Sequence, residues 1–503
     1  MKNLFRTTIA AFLLLLVSAP GEGAFKLPRP EKIVLPNGLT VYCLKSSEVP
    51  IVSFRMFIRG AGSAYEPAAL EGAANLTADL LLKGTTKMSA DGVAEALDFM
   101  GADLAISATE EYAQVSAESL SEHFPKLMEI AADCLIEPAL KEDEFVKERA
   151  KRIDNIKAVK DDPGSAVRYY FQKAYFGAHP MGHPALGTES ALAKMTIQDI
   201  RGFYKARFRP DRAVAAVVGD IDRAKLAGLL KATLGRWKAA SGNAPALDIP
   251  ALPMPKGPKL VLVDKPDATQ AYFMMGAPGY SIGDKVTPEA AVMNTLFGGR
   301  FTSWFNTELR IKRGLTYGAR SSFQTWAAGG LFSAASYTQN SKIGEMLDIT
   351  YDLLKKGTGQ GFSAEEVESA RNYIQGQFPP TLETNAGKAA AYVRLAFFKL
   401  GFDYYGKYLA GIGAVNAAGA GKAAASFLPA NDYVLVVVGR AADIKPLLAK
   451  FGTWEEKKIT DPDFKCVMPS RISDCRWKVK ADLGMRHGAS WRLYKSMRLT
   501  RER

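Results

Sequence analysis

Histidine and cysteine are scarce in this chain, with four of each among 503 residues. Four cysteines cannot staple a chain of this length, which excludes a disulfide-framework protein. Cys43 falls in an apolar, strand-like run and Cys134 on a helical stretch, so both are expected to be buried. Cys466 and Cys475 stand near the end of the chain and can pair in an oxidising compartment. No cysteine has metal-ligand spacing. The four histidines are His123, His179, His183 and His487. None gives a serine or cysteine nucleophile a convincing imidazole partner. Long apolar runs are missing too: outside the N-terminus no window approaches the ~18 residues needed to span a bilayer. A strongly charged body is also absent. The net charge is +13, but residues 465–503 carry 11 Lys/Arg against 3 Asp/Glu, and the N-terminus holds Lys2 and Arg6. The body is left near +3, too little to imply a nucleic-acid partner. The basic tail reads as a solvated extension, and membrane contact through it is not expected.

What is present begins with an export signal over residues 1–24. Lys2 and Arg6 precede an apolar run from Thr8 to Val17, and small residues come next at Ser18, Ala19, Gly21, Gly23 and Ala24. A cut after Ala19 would leave Pro20 first, and a cut near Gly23 avoids that. The expected location is therefore periplasmic or secreted.

The body divides at 239–258, a stretch rich in Pro, Ala and Gly without helical period. Two halves of similar length flank it, 25–238 and 259–464, before the tail at 465–503. They read as copies. Pro210 is followed by the apolar run Val214 to Val218 and Gly219. Pro429 is followed by Val434 to Val438 and Gly439, 220 residues later. Each half opens with a strand pair, 32–44 with 51–59 and 259–264 with 270–276, and a helix-forming stretch comes after it. The expected fold is α+β: two homologous α/β-sandwich domains, duplicated, joined by a linker and facing one another like a clam. Within the first half, Pro36-Asn37-Gly38 predicts a tight turn. Leu70, Ala73, Ala74, Leu76, Leu80 and Leu81 give 71–82 a helical apolar face that Gly84 ends. Residues 105–120 alternate as strands, and 123–136 and 142–159 read as helices.

The segment Glu71 to Thr85 reads E-G-A-A-N-L-T-A-D-L-L-L-K-G-T. It resembles the zinc helix of the pitrilysin, insulinase and mitochondrial-processing-peptidase family, whose inverted motif is H-x-x-E-H. The frame residues Glu71, Gly72, Ala74, Lys83, Gly84 and Thr85 match. The chemical ones do not: Asn75 stands at the first His, Ala78 at the Glu and Asp79 at the second His. Residues four apart share a helix face, which is how two imidazoles grip one zinc ion. Alanine cannot act as the general base, and an amide oxygen is a poor zinc ligand. The resemblance places the family's third ligand, a Glu, at Asn155, 76 residues after Asp79, with Asp154 beside it. It thus implies a degenerate zinc motif and no metal in this chain. His179 and His183 lie in H-P-M-G-H-P, where two prolines and a glycine argue for a loop rather than a metal-binding helix.

The second half keeps a different motif. Phe297 to Arg320 reads F-G-G-R-F-T-S-W-F-N-T-E-L-R-I-K-R-G-L-T-Y-G-A-R. It resembles the family's C-terminal segment, a glycine turn leading into a helix and then R-x-x-R-G-x-x-Y. The resemblance assigns Arg310 and Tyr317 as a substrate clamp that donates to a peptide carbonyl gaining negative charge. Gly298 and Gly299 are expected to allow close backbone approach to substrate. It covers about Leu27 to Trp454. Bacterial members include heterodimers in which one subunit carries zinc and the other the Arg/Tyr pair. This chain resembles the latter, which implies a zinc-bearing peptidase partner of the same family and a peptide substrate. The competing expectation is a periplasmic peptide-binding or scaffold protein without hydrolytic activity.

Overall fold

The computed structural model describes residues 25–238 and 244–464. The export signal, the basic tail and the Cys466–Cys475 pairing lie outside the described residues.

Six strands of the first half form one sheet: β1 (Glu31–Val34), β2 (Thr40–Lys45), β3 (Ile51–Arg59), β4 (Asp103–Ala108), β5 (Tyr112–Leu120) and β6 (Ala213–Gly219). The second sheet holds β7 (Lys259–Asp264), β8 (Gln270–Gly279), β9 (Ala319–Trp326), β10 (Gly329–Gln339), β11 (Val434–Gly439) and β12 (Trp454–Lys458). Their orders are β1-β2-β6-β3-β5-β4 and β12-β7-β11-β8-β10-β9. The duplication is therefore literal over five strands. In each sheet a parallel pair (β2 with β6, β7 with β11) is followed by three antiparallel pairings. The sixth strand breaks the symmetry: β1 joins β2 antiparallel, whereas β12 joins β7 parallel.

The opening strands of each half do not pair with each other as the sequence suggested. β6 is inserted between β2 and β3, and β11 between β7 and β8. The reason is the composition of the inserted strands. β11 is buried at every position and β6 at six of seven. A strand that is apolar on both faces belongs in the centre of a sheet, and more mixed strands are left to flank it. The Pro36-Asn37-Gly38 turn forms, and the Asn37 amide fixes it to the carbonyls of Leu234 and Trp237, each at 2.9 Å.

Four helices frame the site: α1 (Ala73–Leu81), α2 (Glu142–Asp161), α3 (Pro163–Phe176) and α4 (Asn385–Phe397). The boundary between α2 and α3 is the Asp162-Pro163 step, where Asp162 caps α3 through the N–H groups of Gly164 and Ser165. Two of the four helices cross between halves. α3, from the first half, lies on β8 and β11 of the second sheet. α4, from the second half, lies on β3 and β6 of the first. Phe57, Ala216 and Val218 pack there against Ala389, Tyr392, Val393 and Phe397. Gly276 on β8 allows the α3 contact, since a Cβ there would stand 2.4 Å from the Phe171 ring. Both sheets belong to one compact unit.

The described part of the 239–258 stretch has no helix or strand but is strapped down. The carbonyls of Ala246 and Pro250 accept from Arg207 (3.3 Å) and pair with His179 (3.1 Å), and Asp432 accepts from Gly257 N–H at 2.7 Å. No described helix is long and apolar enough to cross a membrane.

Candidate functional site

α1 is short and buried almost all round: Ala73, Ala74, Leu76, Thr77, Ala78, Leu80 and Leu81 are inside. Such a helix is held by its packing rather than by propensity. Gly72 precedes it at φ 99°, where a Cβ would stand 2.7 Å from the Gly187 Cα. The buried carboxylate of Glu66 accepts from the N–H groups of Gly72 (3.0 Å) and Ala74 (2.6 Å), a placement the helix dipole favours. Burial raises the Glu66 pKa, against the opposing pull of His183 and those two N–H groups. Burial alone would lower the pKa of His183, but the carboxylates of Glu66 and Glu71 outweigh it and raise it. Lys173 on α3 pairs with Glu71 at 2.6 Å. His179 and His183 sit around a short turn, Pro180–Gly182, and bond to backbone carbonyls of Pro250 and Ser63. Both are used structurally.

Only two residues of α1 reach out of the core, and they are the degenerate ligand positions. The Asn75 oxygen accepts the N–H of Ala108, at the end of edge strand β4, at 3.1 Å. Its amide nitrogen is buried without a partner among the described residues. The Asn75 oxygen is thus committed to the β4 backbone, and the group left over is a donor, which cannot ligate a metal ion. Ala78 is fully buried. Asp79 is bound by Arg152 of α2, Nη to Oδ at 2.5 Å, with side chains 41% and 7% exposed. Arg152 also donates to the Ala185 carbonyl at 3.2 Å. Asn155, the implied third-ligand position, is exposed, and its neighbour Asp154 pairs with Lys157 at 2.9 Å. From α2 it is thus Arg152, not Asn155, that meets α1. Glu148, one turn earlier, pairs with Lys83 at 2.9 Å.

Zinc does not fit these residues. The one lone-pair group on Asn75 is taken, Ala78 offers nothing, and the Asp79 carboxylate already holds a guanidinium. Among the described residues no group of three or more His, Cys, Asp and Glu side chains is arranged to hold a metal ion. Sequence reasoning missed Arg152. Its signal was present: Glu148, Arg152 and Ile156 are four apart, on one face of α2, and all three are buried. A fixed cation beside a metal position repels a second one. The quadruple change Asn75→His, Ala78→Glu, Asp79→His, Asn155→Glu is therefore expected to bind zinc at least roughly tenfold more weakly than the same chain carrying Arg152→Val. Zinc titration of the two proteins decides it, and equal affinities would mean that Arg152 swings clear.

The second-half motif is built differently from a simple glycine turn. Residues Thr295–Gly299 and Thr307–Lys312 are both π-helical, a wound form often found where a helix serves a site. Between them Ser303 caps a short turn at Trp304–Asn306. The close approaches at the glycines are internal. A Cβ on Gly298 would stand 2.6 Å from the Ser321 nitrogen on β9, and one on Gly299 2.9 Å from the Asn294 carbonyl oxygen. Arg310 stacks its guanidinium 4.9 Å from the centre of the Phe301 ring. Phe301 is 59% exposed and Tyr317 81% exposed. Neither Arg310 nor Tyr317 has a side-chain hydrogen bond or ion pair among the described residues. One motif is thus closed on itself, and the other presents uncommitted donors.

The repeated sheet, the short buried helix by the first sheet's edge strand and the second helix that meets it fit the metallopeptidase-like scaffold that the sequence resemblance implied, with a degenerate metal set. Residues 41–189 match the model described as insulinase (peptidase family M16), and residues 194–374 match that of the peptidase M16 inactive domain. The chain belongs to the M16 peptidase family. It is similar to an uncharacterized zinc protease of Mycobacterium bovis, 28% identical over 371 residues, which span 74% of this chain and 84% of the relative. It is also similar to the uncharacterized zinc protease YmxG of Bacillus subtilis, 26% identical over 352 residues, or 70% and 84% of the two chains. In fold it is similar to a peptidase M16 inactive domain from Pseudomonas fluorescens (TM-score 0.76, 22% identity, 82% of this chain and 98% of that one). A protease from Helicobacter pylori is comparable (TM-score 0.75, 20% identity, 82% and 100%).

Proposed function

We propose that this chain is the non-catalytic, substrate-holding subunit of an exported zinc peptidase pair. The observation that carries the reading is the contrast between its two motifs. The zinc position is closed by the Arg152–Asp79 pair and the Asn75–Ala108 bond, while Arg310 and Tyr317 are left free to donate. A chain that had merely decayed would have no reason to keep the second.

In this reading a related subunit with an intact H-x-x-E-H supplies the metal and the base. This chain supplies two donors. The planar Arg310 guanidinium and the Tyr317 phenol orient a peptide carbonyl and stabilise the charge it gains. The Phe301 ring limits where the guanidinium can lie, so less freedom is lost on binding. Peptides or unfolded segments are the substrate class, and the periplasm is the proposed compartment.

The test is affinity capture of the tagged mature chain from a native periplasmic extract, with mass spectrometry and zinc assay of the eluate. A stoichiometric relative with intact H-x-x-E-H and one zinc per pair is the expected result. The chain eluting alone and zinc-free would leave a peptide-binding scaffold as the better reading. Zinc on the chain alone would overturn the degenerate-site assignment.

A further inference from the structure

The two exchanged helices leave one face of each sheet only half covered. On the second sheet α3 lies along β8 and β11, and beyond it the same face is exposed at Arg320, Ser322 and Gln324 of edge strand β9. Register says which residues share that open face. Arg320, Ser322 and Gln324 of β9 stand opposite Ala335, Ser333 and Leu331 of β10. Ala335 and Ser333 stand in turn opposite Met274 and Gly276 of β8. Gly276 is where Phe171 of α3 touches the sheet, so this row faces α3. Apart from Leu331 and Met274, the row is built of small or polar side chains.

A cavity of about 410 Å³ results, with this row as its floor and Arg168, Phe171, Gln172 and Phe176 of α3 along its side. Trp326 and Met181 complete an apolar wall. Two guanidinium groups line it, Arg168 from the helix and Arg320 from the edge strand. Both residues are exposed, and neither has an ion pair or side-chain hydrogen bond among the described residues. The one carboxylate in the lining is Glu110, which accepts from the Trp326 indole N–H at 3.3 Å. Two unneutralised guanidiniums facing one polar-floored cavity are a receptor for a planar anion, which Arg binds in bidentate fashion. The aromatic wall selects among anions: it favours a carboxylate attached to an apolar group over a bare inorganic ion.

We propose that this cavity is a binding subsite for a peptide carboxylate flanked by an apolar side chain, held between Arg168 and Arg320. The proposal rests on the peptide-handling reading of the chain and gives it a substrate preference, for acidic or C-terminal segments. The subsite needs no partner chain, which makes it separately testable.

The experiment is fluorescence polarisation of the full mature chain with a hexapeptide labelled at its N-terminus and ending in phenylalanine, as the free acid and as the amide. The free acid is expected to bind at least about tenfold more tightly than the amide, as loss of a charge-assisted pair requires. Arg168→Gln and Arg320→Gln are each expected to remove most of that difference, with melting temperature unchanged because both side chains are exposed. A third peptide, amidated but carrying a penultimate glutamate, identifies the source of the carboxylate. Tight, arginine-dependent binding of it supports the subsite with a side-chain carboxylate as ligand. Inorganic phosphate as competitor should displace the free acid only weakly. Equal binding of acid and amide, or affinities untouched by both glutamine variants, would overturn the proposal. Arg310→Ala separates it from the clamp: that change should leave this binding intact, and loss of binding there with neutral Arg168→Gln and Arg320→Gln would place the peptide at the clamp instead.

Discussion

Arg310→Ala in the proposed peptidase pair, once reconstituted, is expected to cut turnover by roughly 10²–10³-fold, the cost of removing one donor from a developing oxyanion. The zinc content of the partner should not change, because Arg310 touches no metal residue. Folding should not change much either. The side chain stacks on Phe301, itself largely exposed, and such a stacked cation contributes about 0.5–1 kcal/mol at an exposed site. Tyr317→Phe is the companion experiment. At 81% exposure the phenol ring supports no packing, so any lost activity comes from the hydroxyl. Both losses should fall mainly on kcat, since the donors act on charge that appears only as the reaction proceeds. Full activity in Arg310→Ala would remove the clamp reading, whatever partner is captured.

Phe464→Ala should lower stability by about 3–5 kcal/mol, the range for emptying a fully buried phenylalanine site. Phe464 comes after β12, yet it packs on the first half of the chain. Its ring stacks on Tyr169 with centroids 5.0 Å apart, meets Tyr170 edge-on at 5.3 Å and lies under the Lys160 ammonium at 5.5 Å. The backbone here is strained: Asp463 and Phe464 are both left-handed, at φ 59° and 53°. For non-glycine residues this costs on the order of 1–2 kcal/mol each. Asp463 helps to offset the cost by accepting from the N–H and hydroxyl of Ser190, at 2.9 and 2.5 Å. Alanine keeps the strain and discards the anchor, so the turn should detach. Thermal melts of Phe464→Ala and Phe464→Leu measure this. A midpoint for the alanine variant equal to that of the parent would show that the ring anchors nothing.

Much of the fold was legible because it is written in local pattern. The apolar runs at Val214 and Val434 read as matching elements, and their 220-residue spacing exposed the duplication. The run of buried positions on α1 was equally plain. What could not be read was which surface each element meets. The amphipathic faces of α3 and α4 say that they are covered, not that each is covered by the other half's sheet. The insertion of β6 between β2 and β3 has the same origin, since pairing partners far apart leave no periodic trace. At the site, loss of the zinc ligands was visible residue by residue. The replacement was not: Arg152 looks like one basic residue among several on α2 until Asp79, 73 positions earlier, is placed against it. The π-helical winding around Gly298 and Arg310 had no sequence signal at all.

The crossing of α3 and α4 also sets a clock on synthesis. The apolar patch of Phe57, Ala216 and Val218 is complete once β6 has left the ribosome, but its cover runs to Phe397. At ordinary elongation rates that interval is roughly ten to forty seconds. During it the first half cannot close, and it offers a chaperone an open apolar surface. In the exported role proposed above this delay would be useful, because a polypeptide that finishes folding early cannot be threaded through a membrane pore. The same exchange that locks the finished protein together thus keeps the unfinished one loose.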